Sequence, residues 1–223
     1  MSSLSPAVEM SGVGKRFGRH WVLFPQDLTI ARGESVALFG DNGSGKSTLL
    51  KIVATLLAPS AGRLKVLGCD AEREQGKIRE RIRLLAHEKQ LYGSLTVLEN
   101  LRLAAGLRGL PPETTGHEIE ALLDRLQIAS CRHRKVGPLS EGMKKRVVLA
   151  RLLIGSGEAR LILLDEPHPT LDAEGKAILD DLIRGWKREG KTILLASHDH
   201  ERALAHADRQ IVLQAGRILG AAG

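Results

Sequence analysis

Between Ser35 and Leu57 the chain reads SVALF, then GDNGSGKST, then LLKIVATLL. A short apolar run closed by glycines and followed by a helix-forming stretch admits few folds. Ser35–Phe39 has the continuous apolar character of a strand covered on both faces, and Ser47 to Leu57 reads as a helix. Between them Gly40, Gly45, Lys46 and Ser47 fit the spacing G-x-x-x-x-G-K-[ST]. Glycines let the backbone curl until successive N–H groups point inward, and the helix starting near Lys46 turns its positive end to the same spot. Such a loop cradles phosphate oxygens. The competing reading is a glycine-rich turn that binds nothing, and a buried strand before the loop with a helix after it weighs against that.

The side chains of the loop extend the argument. Lys46 would reach the β- and γ-phosphates of a nucleotide, and the Ser47 hydroxyl would ligate Mg²⁺. Gly40, Asn42, Gly43, Ser44, Gly45 and Thr48 complete the cradle. Further on, RLILLDEP places Asp165 and Glu166 directly after a second buried strand. Successive strand residues face opposite ways, so the two acids have different tasks. Asp165 is the candidate for the Mg²⁺ side, and Glu166 the candidate base for a water in line with the γ-phosphate. Two acids at a strand end often do no more than open a turn. Beside a phosphate loop they read as the second half of a nucleoside triphosphate hydrolase site.

The rest of the chain specifies an α/β fold around this site. Leu161 to Leu164 and Thr192 to Ser197 are apolar runs separated by a helical stretch, Ala173 to Glu189, which is the order of a parallel sheet with its ligand at the carboxyl ends of the strands. Val8 to Val13 and Val22 to Ile30 read as strands of an antiparallel N-terminal sheet, and Gln210 to Leu213 with Arg217 to Leu219 as a closing hairpin. From about Glu88 to Gly157 the pattern is mostly helical, with Thr96 and Glu99 as a capping box. One domain over residues 1–223 is expected, carrying a helical subdomain at roughly 88–157. Aromatics make up only 3% of the chain, so the core must come from Leu, Ile, Val and Ala. No apolar run approaches the ~20 residues that cross a bilayer, and the start, MSSLSPAVEM, lacks the basic and apolar regions of a secretory signal. Cys69 and Cys131 have no ligand-like spacing and read as reduced thiols. The net charge of +7 suits nucleic acid, anionic lipid or polyphosphate alike, and the clusters Arg132 to Lys135 and Lys144 to Arg146 read as solvated faces.

Four further motifs, in order, resemble those of the ABC ATPase family over nearly the whole chain. LSEGMKKR (Leu139 to Arg146) is similar to the family's signature LSGGQ. On residues alone, Ser140 is placed to cap a helix whose Met143, Val147, Ala150 and Ile154 share a face. HPTLD ends in Asp172 and resembles the D-loop. SHDH sets His198 just past a buried strand, where the family carries its switch histidine. Phe17, in KRFG, matches the aromatic that stacks on adenine. The resemblance implies an ATPase using ATP and Mg²⁺, with Lys46, Glu166 and His198 catalytic. It implies that Ser140 and Gly142 meet a γ-phosphate bound by a second protomer, so that two subunits form an ATP-dependent dimer, of two identical chains or of paired ATPase subunits. Three histidines close in sequence, His198, His200 and His206, are one reading of a metal site; family context and helical spacing instead give the last two surface roles.

The sequence departs from the family's pattern at four places. His87 stands where a Gln usually links Mg²⁺, water and the permease, and cannot copy both faces of an amide. Glu141 replaces a Gly and Met143 a Gln, and His168 follows DEP. Glu141 brings negative charge near a phosphate pocket, which points to slow hydrolysis or tuned dimer closure. The family implies a subunit on the cytoplasmic face of the membrane that energises export by a separate permease, and the pair His87-Glu88 is similar to heme-exporter-like pumps of cytochrome c maturation. Two alternatives stand beside this: a soluble ABC ATPase of a non-transport assembly such as iron–sulfur cluster building, and a nucleic-acid-linked ABC protein. The latter usually has two ATPase domains or a long coiled-coil insertion, which this chain lacks, so no nucleic-acid partner is expected.

Overall fold

The structure, a computed structural model, describes residues 5–86 and 91–219. The chain divides into two units: residues 5–86, 159–167 and 183–219 form one, residues 91–158 and 168–182 the other.

The first unit contains both sheets. An antiparallel sheet has the order β2-β1-β4-β5, built from β1 (Val8–Phe17), β2 (His20–Ile30), β4 (Ala61–Val66) and β5 (Cys69–Asp70). A six-stranded sheet has the order β10-β9-β3-β8-β7-β6. Its members are β3 (Ser35–Phe39), β6 (Ile82–Leu85), β7 (Leu161–Asp165), β8 (Thr192–Ala196), β9 (Arg209–Gln214) and β10 (Arg217–Leu219). All pairings in it are parallel except β9 with β10, a hairpin turned by Ala215 and Gly216, both at positive φ. Every residue of β3, β7 and β8 is buried, as their unbroken apolar sequences require, and each fully buried aliphatic side chain contributes about 1.5–3 kcal/mol. These three strands are neighbours and parallel, so their carboxyl ends lie side by side. That row of strand ends positions the site.

Helix α1 (Lys46–Val53) follows β3 through the glycine loop. It stops four residues short of the expected Leu57. Thr55 adopts a left-handed φ of 58°, and the N–H groups of Thr55 and Leu56 donate to the carbonyls of Ile52 and Lys51. This is a Schellman end with threonine in the position glycine usually takes, which hides the stop from sequence. The segment from β4 through α2 (Gln75–Arg81) to β6 has no counterpart in the sequence reading. β4 alternates buried Leu64 and Val66 with exposed Arg63 and Lys65, and β6 is only four residues long; neither offers a window wide enough for periodicity.

In the second unit, α3 (Val97–Gly106), α4 (Pro112–Arg125) and α5 (Glu141–Leu153) pack on one another, and a 3-10 turn, Ala129–Cys131, joins α4 toward α5. Thr96 and Glu99 make the reciprocal capping box at the start of α3. Val147, Ala150 and Ile154 are buried, and Met143 is half-buried. The basic cluster Lys144 to Arg146 is not a solvated face: Lys145 and Arg146 are buried, and the Arg146 guanidinium bonds the Leu126 carbonyl, the Gln127 amide and Asp172. Helix α6 (Ala173–Arg188) follows the segment at Asp172, and α7 (His200–Leu204) follows β8. No helix among the described residues is long and apolar enough to cross a membrane.

Candidate nucleotide site

The glycine loop is shaped by contacts that leave no room for side chains. Gly40 has φ +150°, and a Cβ there would lie 2.1 Å from the Leu213 carbonyl oxygen. Gly45, at φ +109°, caps α1, and a Cβ would meet Leu23 Cδ2 at 2.7 Å and the Val22 oxygen at 3.0 Å. The loop is further braced by the Gly216 N–H, which donates to the Ser44 carbonyl at 3.1 Å. No side chain caps α1, so its first N–H groups, which have no partner within the helix, are not taken up by a cap. Lys46 is only 6% exposed. Its ammonium donates to the Gly40 carbonyl at 2.6 Å and the Asp41 carbonyl at 3.1 Å, which holds the charge at the mouth of the cradle. Ser47 and Thr48 are half-buried in the first turn of α1, while Asn42 and Gly43 are exposed on the loop.

The neighbouring strand ends bring the other groups in. Asp165 ends β7 and is buried; Glu166 follows it with φ 47°, a left-handed conformation that is strained for a side-chain-bearing residue. Its N–H donates to the Ala196 carbonyl at 3.0 Å, and that bond to β8 turns the chain so that the carboxylate faces the segment after β8. There the His198 N–H donates to Glu166 Oε2 at 3.3 Å. His198 Nε2 stands 2.8 Å from Asn42 Oδ1, 3.3 Å from Glu166 Oε1 and 3.5 Å from Lys46 Nζ. An ammonium can only donate, and with the Asn42 oxygen facing the ring, Nε2 carries the hydrogen and gives it to Asn42. The approach to Lys46 is then proximity without a hydrogen bond. Asn42, Glu166 and His198 thus converge within hydrogen-bond or ion-pair reach, with Lys46 3.5 Å from the His198 ring, the four residues coming from the ends of three neighbouring strands.

Two buried oxygens in this region have no hydrogen-bond partner among the described residues, Ser44 Oγ in the loop and Asp165 Oδ1 at the strand end. Buried polar atoms are nearly always satisfied, so both fit a site completed by a ligand. A phosphate would partner the hydroxyl. The carboxylate, with the Ser47 hydroxyl, is a hard-oxygen set of the kind that could hold Mg²⁺.

The remaining candidates lie elsewhere. Phe17 sits at the tip of the β1–β2 hairpin, 52% exposed, with the Lys15 ammonium 5.2 Å from its ring centroid; a flat apolar face is open there. Ser140, Gly142 and Asp172 belong to the second unit. Ser140 Oγ caps α5 by accepting from the Met143 N–H at 3.3 Å, and Glu141 pairs with Lys144 at 3.1 Å. Gly142 passes so near the D-loop that a Cβ would stand 2.9 Å from the Thr170 oxygen. Asp172 accepts from Arg146 at 2.7 Å and from the Gly175 N–H at 2.9 Å, and these bonds, the Arg146 one foremost, hold its carboxyl below the ordinary 3.8. Sequence reading passed over Arg146 by counting it among solvent-facing charges; its i+4 spacing from Gly142 was the available signal. His168, buried in the same unit, stands 3.1 Å from Asp180. His87 lies outside the described residues. His206 does not have the surface role expected of it: it is 5% exposed, and its carbonyl accepts from Lys187. No three His, Cys, Asp or Glu among the described residues gather as a metal-ligand group.

Comparison with known proteins places this arrangement. The family described as ABC transporter matches residues 23–169. The chain is 39% identical over 226 residues to a phosphonates import ATP-binding protein of Frankia casuarinae, covering 96% of this chain and 88% of the relative. It is 36% identical over 216 residues to a Nod factor export ATP-binding protein of Rhizobium johnstonii, covering 96% and 69%. Among solved structures, a dimeric ATP-binding cassette in a post-hydrolysis state, bound to ADP and phosphate, superposes with a TM-score of 0.86 at 27% identity, over 96% of this chain and 97% of that one. The chain therefore belongs to the ABC transporter family, as an ATP-binding domain of the ABC ATPase type.

Proposed function

We propose that this chain is the ATP-hydrolysing subunit that energises export by a separate membrane permease, with ATP and Mg²⁺ bound in the glycine cradle. The observation that carries the reading is the convergence of Lys46, Asn42, Glu166 and His198 at the carboxyl ends of three adjacent parallel strands. In this reading Lys46 holds the β- and γ-phosphates, the N–H groups of the loop and α1 receive the phosphate oxygens, and Phe17 takes the adenine on its exposed face. Ser47 and Asp165 are the Mg²⁺ residues, and the ion, when bound, neutralises charge that builds on the phosphate oxygens. Glu166 orients the attacking water and accepts its proton. His198 donates through Nε2 to the γ-phosphate, exchanging Asn42 for that oxygen.

Ser140 and Gly142 are proposed to complete the site of a second subunit, with Asp172 beside them, so that ATP holds two subunits together and hydrolysis releases them. Support comes from the dimeric form of the structural neighbour. The subunit would then work at the cytoplasmic face of the membrane, recruited by its permease. Relatives named for export and for import both resemble the chain; export rests on the sequence's likeness to exporters. The narrower heme-exporter-like grouping rests on His87 and Glu88, outside the described residues, and neither relative above is named for heme.

Glu166→Gln tests the core of the reading. The variant should bind ATP, lose turnover, and accumulate as a dimer by light scattering when ATP is added. A variant that hydrolyses ATP like the parent, or stays monomeric with ATP bound, overturns it. Copurification of a multi-span membrane protein in stoichiometric amount tests the permease, and ATP-driven uptake of a substrate into inside-out vesicles separates export from import.

A further inference from the structure

His200 is exposed, as its place in SHDH suggests, and it also makes one specific contact. Its ring stacks on Phe39, with centroids 4.0 Å apart and planes 9° from parallel. Phe39 is the last residue of β3, is 1% exposed, and is followed at once by Gly40, which opens the cradle. An aromatic pair at this offset contributes orientation as well as burial.

The stack matters because of what lies between its partners along the chain. The segment Ser197 to His200 carries His198 and is fastened to β3 twice. At one end the Ser197 N–H donates to the Leu38 carbonyl at 3.3 Å. At the other end the His200 ring lies on Phe39, the next residue of the same strand. Within the segment, Ser197 Oγ accepts from the Asp199 N–H at 3.1 Å, and Asp199 caps α7 by accepting from Arg202 N–H at 3.1 Å. His198 itself is exposed, and no packing locks its ring. Asn42 and Glu166 hold the ring directly, and the segment that presents it to them is held by the two fastenings, one a long backbone bond and the other the stack. Both lead to the residues from which the glycine loop departs.

We infer that His200 is a positioning residue for ATP hydrolysis, which acts on His198 by holding its segment against Phe39. The inference rests on the reading of the site given above. The stacked face, not a proton, performs the task, so another flat ring should replace it.

The test compares His200→Ala with His200→Phe in the full chain. The Ala variant should lower kcat about tenfold, since small misplacements of a reacting group are expensive, while KM for ATP stays within about twofold because the cradle is untouched. The Phe variant should restore kcat. In histidine-labelled protein, the His198 ring resonances should move in the Ala variant and return in the Phe variant. A His200→Ala enzyme with the parent's kcat, a His200→Phe enzyme as slow as the Ala one, or His198 resonances that stay in place would each overturn the inference. Should the Ala variant not fold, His200→Gln, which is similar in length but has no ring, is judged by the same readouts. Glu166→Gln in the same assay keeps the two readings apart: persistent turnover there overturns the site, whereas the resonances judge His200 whether or not the site reading stands.

Discussion

Two helices in this protein start in opposite ways. Helix α1 begins from Gly45 at φ +109°, with no side chain capping it and no acid in its first turn. Helix α5 begins from Ser140, whose hydroxyl already takes the Met143 N–H, and it carries Glu141 in its first turn. Both ends have the positive pole of a helix. The first keeps its donors for a ligand, and Lys46 adds a full charge. The second satisfies one donor internally and offsets the pole with a carboxylate, itself drawn to Lys144. An anion at α1 would meet backbone and charge together, whereas the end of α5 is already partly satisfied by its own chain.

The sharpest way to break this comparison is to remove the charge from α1. Lys46→Ala should lower turnover by about 10²–10³, the loss seen when one preorganised donor is taken from a charge-developing site. The check is steady-state ATP hydrolysis, with a thermal scan to show that the variant is folded. A fall below tenfold would mean that the backbone end alone handles the phosphate. Next in size is Gly45→Ala. The new Cβ faces Leu23 Cδ2 at 2.7 Å in a left-handed conformation, so strain and overpacking together should destabilise the chain by about 1–3 kcal/mol, read as a lower urea midpoint. A midpoint equal to the parent's would show that the loop relaxes.

How far these features were legible in the sequence depends on whether local chemistry or distant packing fixed them. The strand, loop and helix from Ser35 onward were legible because each residue type there has one local use: apolar residues in β3, glycines where a Cβ has no room, Lys46 at the turn. Glu166 and His198 were legible by their place after buried strands, and the family resemblance set them at one γ-phosphate, but the geometry of their meeting was not legible, since it depends on Glu166 adopting φ 47° and on β7 and β8 being neighbours. The end of α1 was misjudged because Thr55 takes a conformation that sequence assigns to glycine. Arg146 and His206 were misjudged as surface residues because burial of a charge or an imidazole depends on partners far along the chain. For His200 the sequence showed only helical spacing, while its partner Phe39 is reached through the parallel pairing of β3 with β8.

Ser140→Ala sharpens the comparison from the other side. The loss of the cap leaves the Met143 N–H without its acceptor and should lower stability by about 1 kcal/mol, measurable by urea unfolding. If the hydroxyl also serves a γ-phosphate across a dimer, ATP-dependent association of the Glu166→Gln form should weaken in the double variant. Unchanged association would restrict Ser140 to capping.

A third helix start extends the contrast and gives the smallest effect. Helix α6 is capped by a carboxylate, Asp172, which accepts from the Gly175 N–H while Arg146 of α5 donates to the same oxygen at 2.7 Å. Foremost through Arg146, the carboxyl sits below its ordinary 3.8. A folded-state value depressed in this way means that the unfolded chain binds the proton more readily. The stabilisation is complete above 3.8 and is lost as the pH falls through that value toward the lower folded one. Because the carboxylate is exposed, the effect should be small and screened by salt. Asp70, Glu74, Glu99 and Asp208 are also held below their ordinary values, so acid unfolding of the parent alone says little. The difference between the parent and Asp172→Asn, followed by urea midpoint from neutrality into acid at low salt, isolates this cap. The curves should be separated near neutrality and converge below 3.8. If they instead run parallel through that range, the ion pair contributes nothing to α6, and the bond to the neutral Gly175 amide is the whole of the cap.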